Sequence, residues 1–210
     1  PNYSTRPEEI TIAQILRAGG YRTGHFGKWH LGAVKRESPV NPSRMGFDEY
    51  LSHDNFFEMD PPLSRNGATP EIIKGESSEL VAAEAARFAR KVAAEGRPFF
   101  IVLWFGSPHG PYSGTPADVA RYANVPKEEL RHRFAEITAM DRAIGQFRAT
   151  LRELGAAENT VVWFNSDKKY RNTDDEESLN KSFIRKIFPI FFRQESAEKQ
   201  QDVAFANSDG

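Results

Sequence analysis

The sequence predicts an α/β fold in which a mostly parallel sheet is sandwiched between helices. The run Pro98–Phe105 is apolar without the alternation of a half-exposed strand, which is typical of a strand buried on both faces. A shorter run of the same kind, Val161–Phe164, follows after a long helical pattern. A strand, helix, strand order with connections of this length predicts parallel pairing.

The first predicted element is a short helix over residues 11–18. Thr11 and Gln14 have the spacing of a capping box, and Gly19 and Gly20 end the helical pattern. The next residues, Tyr21–Phe26, predict a strand that leads into a glycine-bracketed loop.

Between this strand and the next helix, residues 33–77 are rich in Pro, Gly, Ser and Asn, so we expect loops with little regular structure. Two longer helices are predicted over 79–95 and 127–154, each from apolar residues at helical spacing. The predicted apolar faces are Leu80, Val81, Ala85, Phe88 and Val92 in the first helix, and Leu130, Phe134, Ile137, Ile144, Leu151 and Leu154 in the second.

Composition and net charge exclude several classes of function for this chain. The chain has 210 residues, 39% of them hydrophobic, which is enough for one domain with a real core. A net charge of -1 argues against a nucleic-acid binder, and no apolar run is long enough to span a membrane. Cysteine is absent, which excludes disulfides and thiolate metal ligands within this segment. The pattern changes after Asp167, so we expect one unit over 1–167 and a divergent, charged tail over 168–210.

Polar side chains follow three of the predicted strands. Lys28 and His30 follow the first, His109 follows the second, and Asp167 follows the third. Ligands of parallel α/β sheets gather at the carboxyl ends of the strands, so we expect these residues to face one site.

Lys28 and His30 suit a tetrahedral anion. Residues i and i+2 of an extended segment point the same way, so both side chains are expected to reach one point in space. An ammonium neutralises oxygen charge, and an imidazole moves a proton near neutral pH. The neighbouring Gly27 and Gly32 are expected to let the backbone approach a ligand.

Three segments carry a family resemblance. The first reads Gly-Tyr-x-Thr and then, after three residues, Gly-Lys-Trp-His-Leu-Gly, over residues 20–32. The second reads Pro-Phe-Phe, an apolar strand and a Pro-His pair, over 98–109, and the third is Gly-Phe-Asp over 46–48. Together they resemble the arylsulfatase-like sulfatases of the alkaline phosphatase superfamily, matching the middle of the catalytic domain. The resemblance implies an incomplete, alkaline-phosphatase-like α/β fold.

The resemblance also implies roles for individual residues. Lys28 would bridge the nucleophile and the sulfate, His30 would hold the nucleophile's hydroxyl and act as a base, and His109 would contact the sulfate group or the bridging oxygen. Asp167 matches an aspartate that binds calcium in the family. The implied substrate is a sulfate ester of a small molecule or saccharide, and the implied compartment is periplasmic, extracellular or lysosomal.

The chain departs from the family pattern at two points. The family's nucleophile is a formylglycine, made by the formylglycine-generating enzyme from Cys or Ser in Cys/Ser-x-Pro-x-Arg. The nearest echo has Val40 where Cys or Ser is required, so we expect the nucleophile to lie upstream of Pro1. In addition, Lys168 stands where the family has a calcium-binding Asn, and an ammonium repels a cation.

Two alternatives remain open at this point. A phosphodiesterase or phosphonate hydrolase of the same superfamily would use similar Lys and His chemistry, because sulfate and phosphate share tetrahedral oxygen geometry. A truncated copy without catalytic activity would explain the missing nucleophile and Lys168.

Overall fold

The computed structural model describes residues 5–55 and 57–165. Within these residues, the chain combines five strands with four helices, and no helix is both long and apolar enough to cross a membrane. In chain order the elements are α1 Ile12–Ala18, β1 Arg22–Lys28, β2 Glu49–His53, β3 Pro62–Arg65, β4 Glu71–Ile72, α2 Ser77–Ala94, β5 Phe99–Trp104, α3 Pro116–Ala120, α4 Glu128–Glu153 and a 3-10 turn, Ala157–Asn159.

The five strands form one open, mixed sheet in the order β4-β3-β2-β1-β5. Strand β1 pairs in parallel with β2 on one side and with β5 on the other, whereas β3 and β4 are antiparallel additions. The carboxyl ends of β1, β2 and β5 therefore meet at the same edge, where ligands of parallel sheets bind.

The predicted helices are confirmed, with ends within about two residues of expectation. Helix α1 begins at the predicted capping box: the Thr11 hydroxyl accepts from the Gln14 amide, and the Gln14 side chain accepts from the Thr11 amide. These reciprocal bonds satisfy two backbone donors that the first turn leaves without helical partners.

Strand β1 separates two cores because its side chains alternate between the faces of the sheet. Phe26 packs on the α2 side with Phe88, their ring centroids 5.7 Å apart. On the opposite face, Trp29 and Phe47 belong to a second cluster that includes Ala13 of α1. Each Å2 of apolar surface that is buried stabilises the fold by about 25 cal/mol. These two clusters therefore make the main stabilising contribution at the centre of the sheet.

The expectation of loops throughout 33–77 is wrong, because this region contains β2, β3 and β4. The three strands are only two to five residues long, and their sequences mix polar and apolar residues. Residues of β2 form a strand because their backbone pairs with β1. The composition of the segment itself does not show that such a partner exists.

Two strand predictions also need correction. Val161–Phe164 is not a strand, and its side chains are 46% to 90% exposed. An apolar run becomes a strand only beside a partner, and no described strand pairs with this one. Strand β5 forms as expected but is half-buried rather than buried on both faces, because it is the last strand on its side of the described sheet.

The chain divides into a compact unit that ends at Val161 and a second unit, Val162–Gly210. The predicted boundary after Asp167 lies outside the described residues and stays a prediction.

The predicted apolar face of α4 is out of phase with the buried one. Leu151 is buried as expected, but the other predicted residues are only partly buried. Small residues occupy the buried stripe instead and allow close packing against α2. The buried residues of α4 are Ala135, Glu136, Ala139, Ala143, Thr150 and Leu151.

Candidate functional site

Lys28 is the last residue of β1 and lies at the carboxyl edge of the parallel strands. Its Cα is in register with that of His53, the last residue of β2. Two backbone bonds continue past the strand: Trp29 N–H donates to the His53 carbonyl at 2.8 Å, and His30 N–H donates to the Asp54 carbonyl at 2.9 Å. The segment that carries Lys28 and His30 is therefore fixed to the end of β2.

Trp29 anchors this segment from the interior. The side chain is 2% exposed, and its Nε1–H donates to the Val40 carbonyl at 3.0 Å. Because Trp29 points into the core, the residues on either side of it are held at the rim of the sheet. Lys28 is half-buried there, and His30 is exposed.

His30 does not continue the strand, so the premise that Lys28 and His30 share the alternation of an extended segment is wrong. Its φ is 53°, in the left-handed region, which is uncommon for residues with a Cβ but enriched in Asn, Asp and His. A left-handed residue turns the chain, so the direction of the His30 ring depends on this turn.

The two flanking glycines allow close packing of the chain, and the expected close approach of a ligand at these positions stays a prediction. Gly27 has a φ of 108°, and a Cβ on it would lie 1.9 Å from the Trp104 carbonyl oxygen. A Cβ on Gly32 would lie 2.3 Å from the Val40 side chain. Gly27 therefore allows β1 and β5 to remain close at the point where the site begins.

His109 lies on the loop that follows β5, at the same edge of the sheet. Its Nδ1 lies 2.7 Å from the Gly110 carbonyl oxygen, and because a carbonyl only accepts, Nδ1 carries the proton of this bond. Nε2 is then the atom with which His109 can meet a ligand. For Nε2 also to donate a proton, the ring must be protonated on both nitrogens.

Helix α4 holds the end of this loop. Ser113 N–H donates to Glu136 Oε1 at 2.6 Å, and Gly114 N–H donates to His132 Nδ1 at 3.1 Å. In addition, the Arg133 guanidinium lies 5.7 Å from the centroid of the Tyr112 ring, within cation–π range.

Sequence reasoning missed Glu136, because a glutamate in an amphipathic helix ordinarily marks the solvent face. The side chain is 2% exposed, and Oε2 has no hydrogen-bond partner in the part of the chain that the structure describes. Burial raises the pKa of the Glu136 carboxyl to about 7, and the nearby charges of Glu58 and Glu76 act in the same direction. The only sequence signal was its place in the alanine stripe of α4.

Sequence reasoning also missed His25, which lies under the site in the core. The ring is fully buried, and its centroid is 4.9 Å from that of Trp29 and 5.4 Å from that of Trp104. Burial lowers its pKa to about 3, so the ring is neutral at physiological pH. His25 therefore has a packing role beneath Lys28 and His30.

Asp167, the predicted calcium ligand, lies outside the described residues, as does Lys168. The described residues contain no group of three or more His, Asp or Glu side chains able to hold a metal ion. They therefore do not by themselves supply the oxygen ligands that calcium requires.

A polar cleft of about 540 Å3 lies elsewhere on the protein. It is lined in part by Asp48 and Tyr50, at the amino end of β2, so it does not coincide with the edge that carries Lys28. Topology and backbone anchoring, rather than cavity size, therefore define the candidate site. They describe an α/β protein with a lysine and three histidines, His30, His53 and His109, carried at one strand-end edge.

The comparisons with known proteins agree with this class. Residues 4–182 match the Sulfatase family. The chain is 30% identical to an ulvan-active sulfatase of Formosa agariphila over 180 residues, covering 76% of this chain and 35% of that protein. It is 26% identical to an endo-4-O-sulfatase of Bacteroides thetaiotaomicron over 249 residues, covering 88% of this chain and 46% of that protein.

Solved structures show the same fold. The crystal structure of Ps i-CgsB in complex with k-i-k-neocarrahexaose superimposes with a TM-score of 0.67 and 22% identity, covering 74% of this chain and 39% of that one. The chain belongs to the sulfatase family, and its fold is part of the alkaline-phosphatase-like α/β fold. It spans between about a third and a half of the length of the curated relatives described above.

Proposed function

We propose that this chain supplies part of the catalytic centre of a sulfate ester hydrolase that acts on sulfated saccharides. The observation that carries the proposal is the family match over residues 4–182, because it includes both loops at the carboxyl edge of β1 and β5. The relative named an ulvan-active sulfatase and the structure solved in complex with k-i-k-neocarrahexaose support the substrate class.

In this proposal Lys28 binds the sulfate. An ammonium at the end of a paired strand is a fixed point charge that neutralises the oxygens of a tetrahedral anion. Its backbone is in register with His53 of β2, and the preceding Gly27 is paired with Trp104 of β5, so the charge is preorganised.

The two histidines divide the proton transfers. His109, protonated on both nitrogens, donates from Nε2 to the bridging oxygen as the ester bond breaks. His30 is the base that accepts a proton from the nucleophile's hydroxyl. The formylglycine implied by the family supplies that hydroxyl when present, and the motif that would carry it does not occur in this chain. The formylglycine-generating enzyme is accordingly a partner of the complete protein, which we place in the periplasm, outside the cell or in a lysosome.

The test compares sulfate and phosphate esters on the complete protein that contains this chain. We expect release of sulfate from an aryl sulfate and a sulfated oligosaccharide, with Lys28→Ala and His109→Ala each lowering kcat/KM by about 100-fold or more. Lys35→Ala, which removes an exposed lysine of a nearby loop, is the matched control and should retain the activity of the parent.

Faster cleavage of a phosphodiester than of any sulfate ester would favour the related phosphodiesterase or phosphonate hydrolase instead. Absence of both activities in a complete protein that carries the modified nucleophile would favour a non-catalytic copy. For the 210-residue chain alone we expect negligible turnover, and aryl sulfate turnover that Lys28→Ala abolishes would contradict this expectation.

A further inference from the structure

The loop that carries His109 is attached to α4 by contacts at three consecutive residues. Tyr112, Ser113 and Gly114 meet Arg133, Glu136 and His132, respectively. The bond from Ser113 N–H to Glu136 Oε1 is the shortest of these polar contacts, at 2.6 Å. Hydrogen bonds to an ionised carboxylate are short and about twice as strong as neutral ones.

Glu136 also interacts with the beginning of the same loop. The nearby Ser107 side chain acts to lower the pKa of the Glu136 carboxyl, against the larger effect of burial. Ser107 precedes His109 and Ser113 follows it, so the carboxyl lies near the beginning of the turn that presents the imidazole and accepts a hydrogen bond at its end.

This arrangement is costly for the fold. A carboxyl that is 2% exposed, with one oxygen lacking a partner and two further glutamates nearby, is less favourable than an apolar or amide side chain in the same space. Stability alone does not account for a glutamate in the alanine stripe of α4, whereas the hydrogen bond that it accepts from Ser113 gives it a role in holding the His109 loop.

We propose that Glu136 is a positioning residue that holds the Ser107–Gly114 loop, and with it His109, in the geometry in which His109 meets the substrate. The inference rests on the proposed function for the role of His109, but the placement of the loop is testable without activity.

Several titratable groups surround Glu136. Glu58 comes from the segment before β3, Glu76 from the N-terminal cap of α2, and His132 from the preceding turn of α4. Glu58 and Glu76 both disfavour the ionised form of Glu136. Changes of pH near neutrality therefore alter the charge of Oε1, the atom that accepts the Ser113 N–H.

The first experiment follows the Ser113 amide proton by NMR in the 210-residue chain. In the parent we expect its chemical shift to titrate with a midpoint near 7, moving downfield as the carboxylate forms. In Glu136→Gln the amide oxygen still accepts the bond but does not titrate, so the shift should be constant over the same range. Glu129→Gln, on the exposed start of α4, is the control and should behave as the parent.

The second experiment measures hydrogen exchange of the loop at fixed pH. We expect Glu136→Ala to raise exchange across 107–114 by about tenfold while exchange in α2 is unchanged, with Glu136→Gln restoring most of the protection. In the complete protein, Glu136→Ala should lower kcat more than it raises KM, with partial rescue by Gln.

The outcomes separate the two proposals. Unchanged loop exchange in Glu136→Ala, or a Ser113 titration that survives in Glu136→Gln, overturns the positioning role. If Glu136→Ala fails to fold, the Glu136→Gln titration decides alone. A loop that loosens as expected in a protein with no sulfate ester activity leaves Glu136 as the residue that positions the loop and removes the proposed reaction.

Discussion

His25 Nδ1 and Ser52 Oγ lie 2.7 Å apart across the parallel pair β1–β2, inside the core beneath the candidate site. The other ring nitrogen, Nε2, has no hydrogen-bond partner among the described residues. The ring is instead surrounded by the edges and faces of Trp29, Phe47 and Trp104. This imidazole is therefore buried in its neutral form and supports the tryptophan that separates Lys28 from His30.

The protein should lose stability in acid because of His25. Its pKa is about 3 in the folded state and near 6.5 when unfolded, so its contribution is complete above 6.5 and is lost as the pH falls toward 3. Relative to His25→Gln, which does not titrate, the free energy of unfolding should fall by about 2 kcal/mol between pH 7 and pH 5. Urea unfolding at both values measures this. His30→Gln is the control and should show the same loss as the parent. If the free energy of unfolding falls equally in the parent and in His25→Gln, the buried ring is already charged or solvated.

Glu136 should make the protein less stable as the pH rises, the opposite of the effect of His25. Its pKa is raised to about 7 from 4.5, so its contribution is complete below 4.5 and is lost as the pH rises to about 7. Glu136→Gln should therefore gain up to about 2 kcal/mol relative to the parent between pH 5 and pH 8. Denaturant unfolding at the two values gives the difference. If the free energy of unfolding changes equally between the two pH values in parent and variant, the Glu136 carboxyl has its ordinary pKa in the folded protein.

Gly27→Ala should break the junction of β1 and β5. The added Cβ would lie 1.9 Å from the Trp104 carbonyl oxygen, so the strands must separate at the site. We expect a loss of about 3 kcal/mol or more. Gly20→Ala is a close control, because its φ is also positive, at 93°, but nothing lies within 4 Å of the added atom. It should cost about 1 kcal/mol from backbone strain alone. Similar losses for both variants, measured by urea unfolding, would contradict close packing at Gly27.

Arg142 joins α4 to α3 and to the start of α2. Its two terminal nitrogens donate to the two Asp118 oxygens at 3.0 and 2.8 Å, and Nε donates to Glu79 at 2.6 Å. Lysine cannot reproduce this planar fork, so Arg142→Lys should cost about 1–3 kcal/mol. Arg6→Lys, at an exposed pair with Glu9, should cost less than about 0.5 kcal/mol. Thermal unfolding of both variants tests whether geometry or charge alone holds α3.

Calcium should bind this chain weakly. Lys168 stands where the family resemblance implies an oxygen ligand beside Asp167, and the described residues contain no acidic cluster that compensates for it. Calorimetric titration with calcium chloride should give no tight binding in the parent or in Asp167→Ala. Tight binding that Asp167→Ala removes would restore the calcium site.

The sequence was sufficient for features that depend on local chemistry. The capping box at Thr11 and the limits of α2 and α4 follow from neighbouring residues, and the motif around Lys28 identified the family. The sequence was insufficient where an element forms only because it pairs with a segment that is distant in the chain. Strand β2 exists because β1 pairs with it, whereas Val161–Phe164 has apolar residues but no described partner strand.

The same distinction applies to the candidate site. Lys28 and His109 were found from residue type and spacing, but Glu136 was missed because its burial depends on how α4 packs against α2 and the loop. The rotation of α4 buries its alanines and leaves most of the predicted apolar face only partly buried, and the charge of Glu136 concealed its place among the buried residues.

Because His30 has a left-handed backbone conformation, substitutions at this position can change the backbone turn and the imidazole side chain separately. Asparagine also tolerates a φ of 53°, so His30→Asn should preserve the path of the chain while removing the imidazole. A β-branched residue such as valine would instead oppose the turn and displace Lys28 as well. Comparison of the two variants would distinguish a proton acceptor from a hinge, a distinction that truncation to alanine does not make.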